Sequence, residues 1–287
     1  MTVDRKFCLL AVFCLLVDQT TAGNNWAVLV ASSDGWENYR HEANVCHAFH
    51  LLRAQGIAEE RIVLMMVDDI AHAPQYAGQL FNSPAHRDVY AGCRVDYRGE
   101  DVTIANFLAV LRGDAAATGG KRVLESTAED RVFVYLTDHG GDGIVTFPEF
   151  GHGLQLLNTT ALAETVHFMH TNKKFGQLVV YWEACHSSTM FDRPALYPPE
   201  MNVYIVTSAK GKEEKTHETY FDPELQVSLS DQFSAAWLED SEANNPTTRT
   251  LQLQFEAVKK RVANSTVLQW GNLEIARQPL AAFQGTL

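Results

Sequence analysis

Five runs of apolar residues rich in β-branched side chains constrain the fold more than any other feature of this sequence. Polar side chains hardly interrupt them, whereas a strand with one face in water alternates apolar and polar residues. The runs lie at 26–32, 61–67, 131–137, 178–184 and 201–207. Such runs are typical of strands that are covered on both faces, as in a parallel sheet.

Helical patterns separate these predicted strands. Thr103 precedes apolar residues at helical spacing and is a candidate cap, and a second helix is predicted over about 159–171. A third helix carries Leu251, Phe255, Val258 and Val262 at spacings of three and four residues. The alternation predicts an α/β fold, a three-layer sandwich with a mostly parallel central sheet and right-handed crossovers.

The charge of the chain narrows the classes of protein to which it can belong. Its 287 residues include 23 basic and 35 acidic side chains, and the formal net charge is −12. This acidic surplus argues against a nucleic-acid partner, which requires a basic surface to hold phosphates. At 46% hydrophobic and 20% charged residues, the composition is that of a globular chain with a sizeable core.

The N-terminal residues have the pattern of a secretory signal peptide. Arg5 and Lys6 precede an apolar run over 7–17, and small residues follow, which predicts a signal peptide over 1–22. The run is shorter than the about 20 residues that cross a bilayer, so no membrane span is expected. The prediction is a single domain over 23–287 that enters the secretory pathway and becomes lysosomal, endosomal or secreted.

A secretory route exposes two further motifs to modification. The sequons that begin at Asn158 and Asn264 are candidate glycosylation sites.

The cysteines that follow the predicted signal peptide favour an enzyme over a disulfide-stapled scaffold. There are three of them, and an odd number leaves at least one thiol unpaired. Cys46 lies on the apolar side of a predicted helix, where a small buried thiol is expected. Cys93 lies in a predicted loop, and Cys185 follows the fourth apolar run.

The third and fourth predicted strands end in a histidine and a cysteine. His139 follows the third run and Cys185 follows the fourth. Because sites in open α/β sheets gather at the carboxyl ends of the strands, we expect both residues at one edge, within bonding distance. An imidazole can take the proton of a thiol and return it to a leaving amine. Gly140 lets the backbone bend close, so that its N–H and that of Cys185 are candidates for an oxyanion hole.

The blocks around these two residues resemble a known family. YLTDHGGDGIVTFPE around His139 and VVYWEACHSSTMF around Cys185 are similar to the legumain family, the asparaginyl endopeptidases of the caspase-like fold. Further similar blocks lie at 34–52, 65–71 and 97–114, and the resemblance extends from about Trp26 to Gly285.

The resemblance implies a role for individual residues. Cys185 would be the nucleophile, His139 the general base and acid, and Asn38 the residue that orients the imidazole. The family builds its primary specificity pocket at positions that match Arg40, His41, Glu183 and Asp231 here.

A pocket with a guanidinium and carboxylates satisfies both ends of an asparagine carboxamide. The implied function is a cysteine endopeptidase that cleaves after Asn through a thioester, and after Asp at low pH, with transpeptidation where an amine captures the thioester. The implied partners are Asn-containing protein and peptide substrates and protease inhibitors. The sequence offers no metal-ligand cluster or phosphate-binding loop, so neither a metal nor a cofactor is expected.

The sequence departs from the family pattern at three places. His186 stands where an acidic residue usually follows the cysteine, and the segment over 212–216 replaces an acidic residue and two serines, with one extra residue expected. Members of the family generally continue into a helical C-terminal prodomain. We expect no such prodomain among the residues up to Leu287.

Two other functions stay open at the level of sequence. The catalytic subunit of glycosylphosphatidylinositol transamidases shares the histidine and cysteine blocks, and the HGGDG string at 139–143 resembles it. The other is an inactive homologue that binds partners through the integrin-type tripeptide over 112–114. Gly113 follows a predicted helix, however, which favours a helix cap at this tripeptide.

Overall fold

A computed structural model describes residues 23–74, 78–151, 153–211 and 214–285 of the chain. The predicted signal peptide over 1–22 lies outside the described residues. The strands are β1 (Asn25–Ala31), β2 (Ile62–Met65), β3 (Arg131–Thr137), β4 (Gly140–Gly141), β5 (Ile144–Phe147), β6 (Gln155–Asn158), β7 (Gln177–Glu183), β8 (Val203–Thr207), β9 (Glu218–Asp222), β10 (Val227–Asp231) and β11 (Leu268–Gly271). The α-helices are α1 (Tyr39–Ala54), α2 (Ile104–Arg112), α3 (Thr159–Thr171), α4 (Gln232–Ala243), α5 (Leu251–Arg261) and α6 (Ala281–Gln284).

The central sheet has six strands in the order β11-β8-β7-β3-β1-β2. The pairs within β8-β7-β3-β1-β2 are all parallel, and β11 is antiparallel at the edge. The five apolar runs form the parallel strands, and every residue of β1 is buried, as the prediction of two covered faces requires. The antiparallel edge strand β11 was not predicted, because its four residues are only half-buried and carry no continuous apolar run.

Helices cover both faces of this sheet and make the three predicted layers. Leu29, Phe133 and Tyr181 point to one face, where they pack with residues of α1, α4 and α5. Val28 and Val134, one residue out of step, point to the other face and pack with α2 and α3. The alternation follows from the two-residue period of a strand, so the structure confirms the three-layer α/β sandwich.

The helix signals of the sequence are confirmed in the structure. The Thr103 hydroxyl accepts the Asn106 N–H at 3.1 Å at the start of α2. Gly113 ends α2 in the left-handed conformation, with a φ of 70°, as expected for a helix cap. Thr250 caps α5 in the same way as Thr103 caps α2. None of the described helices is both long and apolar enough to cross a bilayer.

A disulfide bond joins Cys46 to Cys93, with their Cα atoms 5.4 Å apart. The expectation that Cys46 is an isolated buried thiol is therefore wrong. The expectation failed because the partner lies 47 residues further along, in a loop that folds back onto α1. Cys185 is the free thiol among the described cysteines, as the odd count required.

Candidate active site

The register of β3 and β7 delivers the predicted histidine and cysteine to one edge of the sheet. Thr137 at the end of β3 lies opposite Glu183 at the end of β7. The Asp138 N–H then donates to the Glu183 carbonyl at 3.0 Å, which extends the pairing by one residue. His139 and Cys185 each follow their strand by two residues, so the sheet brings the two chain segments side by side.

Gly140 allows the segments behind His139 and Cys185 to approach closely. A Cβ atom at Gly140 would lie 2.6 Å from the Cys185 carbonyl oxygen and 2.9 Å from the Ala184 Cβ. Both distances are too short for any side chain, so this contact requires glycine. Gly140 also begins the short strand β4, which pairs with β5 and holds the turn in place.

The Cys185 sulfur is half-buried and lies 3.6 Å from the Thr216 hydroxyl. The described residues show no hydrogen bond between this sulfur and His139, so the expected bonding contact is not formed. Catalytic hydrogen bonds are often long in the absence of substrate and shorten when it binds. The register places the two groups as neighbours without joining them.

Asn38 fixes the orientation of the His139 ring. The Asn38 Oδ1 lies 2.7 Å from His139 Nε2, while its Nδ2 donates to the Asp34 carbonyl at 2.7 Å. Because the amide N–H faces a carbonyl, its oxygen must face the imidazole, which makes Nε2 the protonated nitrogen. His139 Nδ1 is then the basic nitrogen that can accept a proton.

The surroundings of His139 favour its neutral form. Burial and then the Arg40 guanidinium lower the pKa of His139, and the carboxylates of Asp231, Glu218 and Glu37 oppose this shift. A histidine with a lowered pKa stays unprotonated in more acidic solution than usual. The His139 imidazole can therefore act as a base under mildly acidic conditions.

Arg40, whose charge acts on His139, is almost fully buried, with 6% of its surface exposed. Its Nε donates to Asp231 Oδ1 at 2.9 Å, and its Nη1 donates to the Glu37 carbonyl at 2.9 Å. Asn44 Nδ2 donates to the other Asp231 oxygen at 3.0 Å, so the carboxylate is held from two sides. Despite this support, burial and then Glu218 raise the pKa of Asp231, against the lowering effect of Arg40.

Glu183 is buried, and only one of its two carboxylate oxygens accepts hydrogen bonds from the described residues. Its Oε2 accepts from Thr137 at 3.4 Å and from Ser234, whereas no hydrogen-bond partner reaches its Oε1 from the described residues. Burial and then the Asp231 charge raise the pKa of Glu183 well above its ordinary value. The free oxygen can accept one further N–H, or donate a proton when the acid is neutral.

His41 is almost fully buried, with 2% of its surface exposed. Its Nδ1 lies 2.6 Å from the Ser33 hydroxyl, and burial followed by the Arg40 charge lowers its pKa well below the ordinary value. Its ring packs edge-on against His139, with centroids 5.2 Å apart. His41 is therefore a neutral, buried side chain that packs against the His139 ring.

One further grouping was not apparent in the sequence. The side chains of His41, Asp138 and His139 offer ligand atoms within 4.8 Å of one another, although no metal-ligand cluster was predicted. Asp138 Oδ1 already accepts the His139 backbone N–H at 2.5 Å, and burial raises the pKa of Asp138 to about 6.

Two residues of the site are not among the predicted site residues. Glu218 Oε1 lies 3.2 Å from Arg40 Nη1, and Thr216 contacts the Cys185 sulfur. Thr216 belongs to the segment over 212–216, whose Glu214 instead turns away to bind the Thr266 N–H at 2.8 Å. The sequence carries no signal for Glu218, because its contact with Arg40 depends on how β9 pairs with β10.

The remaining predicted positions lie at the surface. Asn158 and Asn264 are exposed, and Asn158 also caps α3 by accepting the Ala161 N–H at 2.9 Å. Arg112 of the integrin-type tripeptide donates to Thr165 at 2.8 Å, which ties it to α3. This contact disfavours an adhesive role for the tripeptide.

Comparisons with known proteins cover nearly the whole described chain. The model of the Peptidase C13 family matches residues 25–286. Legumain from Bos taurus is 42% identical over 275 residues, which cover 94% of this chain and 61% of that protein. A hemoglobinase from Schistosoma mansoni is 40% identical over 272 residues, with coverages of 94% and 61%.

A plant protein and one solved structure extend these comparisons. The vacuolar-processing enzyme beta-isozyme of Arabidopsis thaliana is 40% identical over 286 residues, which cover 93% of this chain and 57% of that protein. The chain thus spans about three-fifths of the length of these curated relatives. Caspase-1 from Spodoptera frugiperda superposes with a TM-score of 0.49 at 10% identity, over 92% of both chains.

Proposed function

The chain belongs to the Peptidase C13 family, and on that premise we propose that it is a cysteine endopeptidase that cleaves peptide bonds after asparagine. One observation carries the proposal. The ends of β3 and β7 bring a free thiol and an imidazole to one edge of the sheet. The start of α1 adds the Asn38 amide, which orients the imidazole, and the buried Arg40 guanidinium, which binds Asp231.

The proposed reaction begins when the Cys185 thiol gives its proton to His139 Nδ1. The sulfur attacks the backbone carbonyl carbon of the asparagine itself, and a carbon–sulfur bond forms while the carbonyl oxygen gains the negative charge. The backbone N–H groups of Gly140 and Cys185 stabilise this oxyanion. Collapse of the intermediate breaks the carbon–nitrogen bond, and His139 returns the proton to the leaving amine.

The acyl-enzyme is a thioester on Cys185. Water, deprotonated by His139, attacks the thioester, releases the acid product and restores the thiol. An amine from another peptide can replace the water, in which case a new peptide bond forms. Transpeptidation is therefore the second activity that we propose for the same site.

The pocket around Arg40 is proposed to hold the asparagine side chain. The guanidinium donates to the carboxamide oxygen, while the free Glu183 oxygen and Asp231 accept from the amide N–H groups. An aspartate substrate adds a negative charge beside these carboxylates and fits once it or they are protonated. Cleavage after Asp is therefore proposed for the acidic range alone.

An acidic compartment of the secretory pathway suits this site. The pKa values of Asp138, Glu183 and Asp231 are all raised by burial, so these acids gain protons readily in acidic solution. The proposed location is lysosomal, endosomal or secreted, with glycans at the exposed Asn158 and Asn264. Protein and peptide substrates and protease inhibitors are the proposed partners.

A peptide-library cleavage profile tests this function. The purified protein is incubated with peptides that vary at the residue before the scissile bond, from about pH 4 to about pH 8, and the products are identified by mass spectrometry. We expect cleavage after Asn throughout the active range and after Asp at its acidic end. Cleavage after other residues, or none at any pH, would contradict the proposal.

A further inference from the structure

Glu218 and Asp231 face each other across the hairpin of β9 and β10. The two residues are direct partners in the antiparallel register. Like charges directly opposite each other destabilise a strand pair unless a counter-charge lies between them. Arg40 supplies that counter-charge, with its Nε 2.9 Å from Asp231 and its Nη1 3.2 Å from Glu218.

The two carboxylates differ in their access to solvent. The Asp231 side chain is 3% exposed, whereas the Glu218 side chain is 52% exposed. Asp231 therefore binds the guanidinium on its buried side, and Glu218 binds it on the side that faces solvent. A substrate side chain that enters from solvent to reach Arg40 passes close to the Glu218 carboxylate.

The charges of the described pocket residues do not balance. Arg40 contributes one positive charge, and His41 stays neutral because burial lowers its pKa. Glu183, Asp231 and Glu218 contribute up to three negative charges, of which Glu183 is the most readily neutralised because burial raises its pKa well above its ordinary value. When Glu183 is protonated, the charges of Arg40 and Asp231 cancel. The Glu218 carboxylate then makes the net charge of these residues negative.

We propose that Glu218 is a specificity-determining residue that favours a neutral asparagine over an ionised aspartate by surrounding Arg40 with excess negative charge. The inference rests on the proposed function and assigns part of its selectivity to a residue on the hairpin. Asparagine needs one donor for its oxygen, which Arg40 can supply while bound to Glu218. Ionised aspartate would compete with the Glu218 carboxylate for the same guanidinium and would be repelled by it.

The exposure of Glu218 limits the size of the effect. Solvent screens a half-exposed charge. Removal of the Glu218 charge is therefore expected to change the ratio of cleavage after Asp to cleavage after Asn by only about fivefold. Glu218 also acts on the His139 imidazole, whose pKa it raises. That influence is common to both substrates, so it cancels when their kcat/KM values are divided.

The test compares Glu218→Gln with the wild-type chain on two peptides that differ only in Asn or Asp before the scissile bond. Glutamine keeps an oxygen that can accept from Arg40 but removes the charge. Glu224→Gln is the matched control, since Glu224 is an exposed acid between β9 and β10. The quantity measured is the Asp-to-Asn ratio of kcat/KM at about pH 6 and at about pH 4.

We expect Glu218→Gln to raise this ratio about fivefold at about pH 6, and less at about pH 4, where the substrate aspartate is partly protonated. Glu224→Gln should have the same ratio as the wild-type chain at both pH values. A ratio that is unchanged in Glu218→Gln, with both peptides affected equally, overturns the inference and leaves the proposed function intact. A wild-type chain that cleaves neither peptide overturns the proposed function and this inference with it.

Discussion

His139 Nε2 lies 2.7 Å from Asn38 Oδ1, and this contact joins the segment after β1 to the end of β3. Asn38 is itself held by its hydrogen bond to Asp34, so the amide cannot rotate without losing both contacts. The other ring nitrogen, Nδ1, is then the one that can accept a proton. A single side chain thus selects both the orientation and the tautomer of the proposed base.

Replacement of Asn38 should impair the chemical step. We expect Asn38→Ala to lower kcat by about 10-fold to 100-fold, because His139 loses the partner that fixes its tautomer. Asn38→Asp keeps an acceptor and adds a negative charge, which should raise the pKa of the imidazole and move the acidic limb of the pH–rate profile to higher pH. Steady-state kinetics across pH checks both variants. A wild-type kcat in Asn38→Ala would contradict the role of the amide.

Gly140 should tolerate no side chain. Because a Cβ there would lie 2.6 Å from the Cys185 carbonyl, Gly140→Ala must move the backbone that carries the proposed oxyanion donors. We expect kcat to fall about 100-fold. Gly141→Ala is the matched control, since its Cβ would meet only the flexible Ile144 side chain at 3.2 Å. Equal activity of the two variants would argue against the close approach.

The Cys46–Cys93 bridge should stabilise the fold. It closes a loop with a sequence separation of 47 and restricts the unfolded chain. The double variant Cys46→Ala, Cys93→Ala should lose about 2–4 kcal/mol of unfolding free energy in denaturant titrations. Reduction of the wild-type bridge should produce a similar loss and leave the variant unaffected. An unchanged midpoint in the variant would show that the bridge adds nothing.

Glu42 should make stability depend on pH. Its Oε1 accepts the backbone N–H groups of Asp68 at 2.5 Å and Asp69 at 3.3 Å, while its Oε2 has no hydrogen-bond partner among the described residues. Burial and then the Asp69 charge raise the pKa of Glu42 well above its ordinary value. The folded state therefore holds this proton more tightly than the unfolded state does.

The sign of this effect follows from the linkage between proton binding and folding. The stabilising contribution is fully present below the ordinary glutamate pKa of about 4.3 and is lost as the pH rises through the raised folded-state pKa. Glu42→Gln cannot ionise, so thermal unfolding should show a smaller loss of stability between about pH 4 and about pH 7. The exposed Glu125→Gln is the control. A pH dependence equal to that of the wild-type chain would exclude Glu42 as the cause.

Much of the fold could be predicted from short sequence patterns. The continuous apolar runs predicted the parallel strands, and Thr103 and Gly113 marked the ends of α2, because strand burial and helix capping depend on short stretches of sequence. The expectation that His139 and Cys185 share an edge also held, since parallel strands end at the same side of a sheet.

The contacts that the sequence left undetermined are those between distant segments. The Cys46–Cys93 bridge depends on how a loop returns to α1, and the place of Glu218 depends on the register of β9 against β10. The distance between the Cys185 sulfur and the His139 ring likewise depends on side-chain rotamers, which strand order does not determine.

The central claim, that Cys185 is the nucleophile and His139 its base, is tested most directly by the kcat/KM of Cys185→Ser and His139→Ala on an Asn-containing peptide. Thermal unfolding of each variant checks that the fold is retained. We predict no measurable turnover by Cys185→Ser and a loss of at least about 100-fold in His139→Ala. Turnover by folded Cys185→Ser at the wild-type rate would contradict the account.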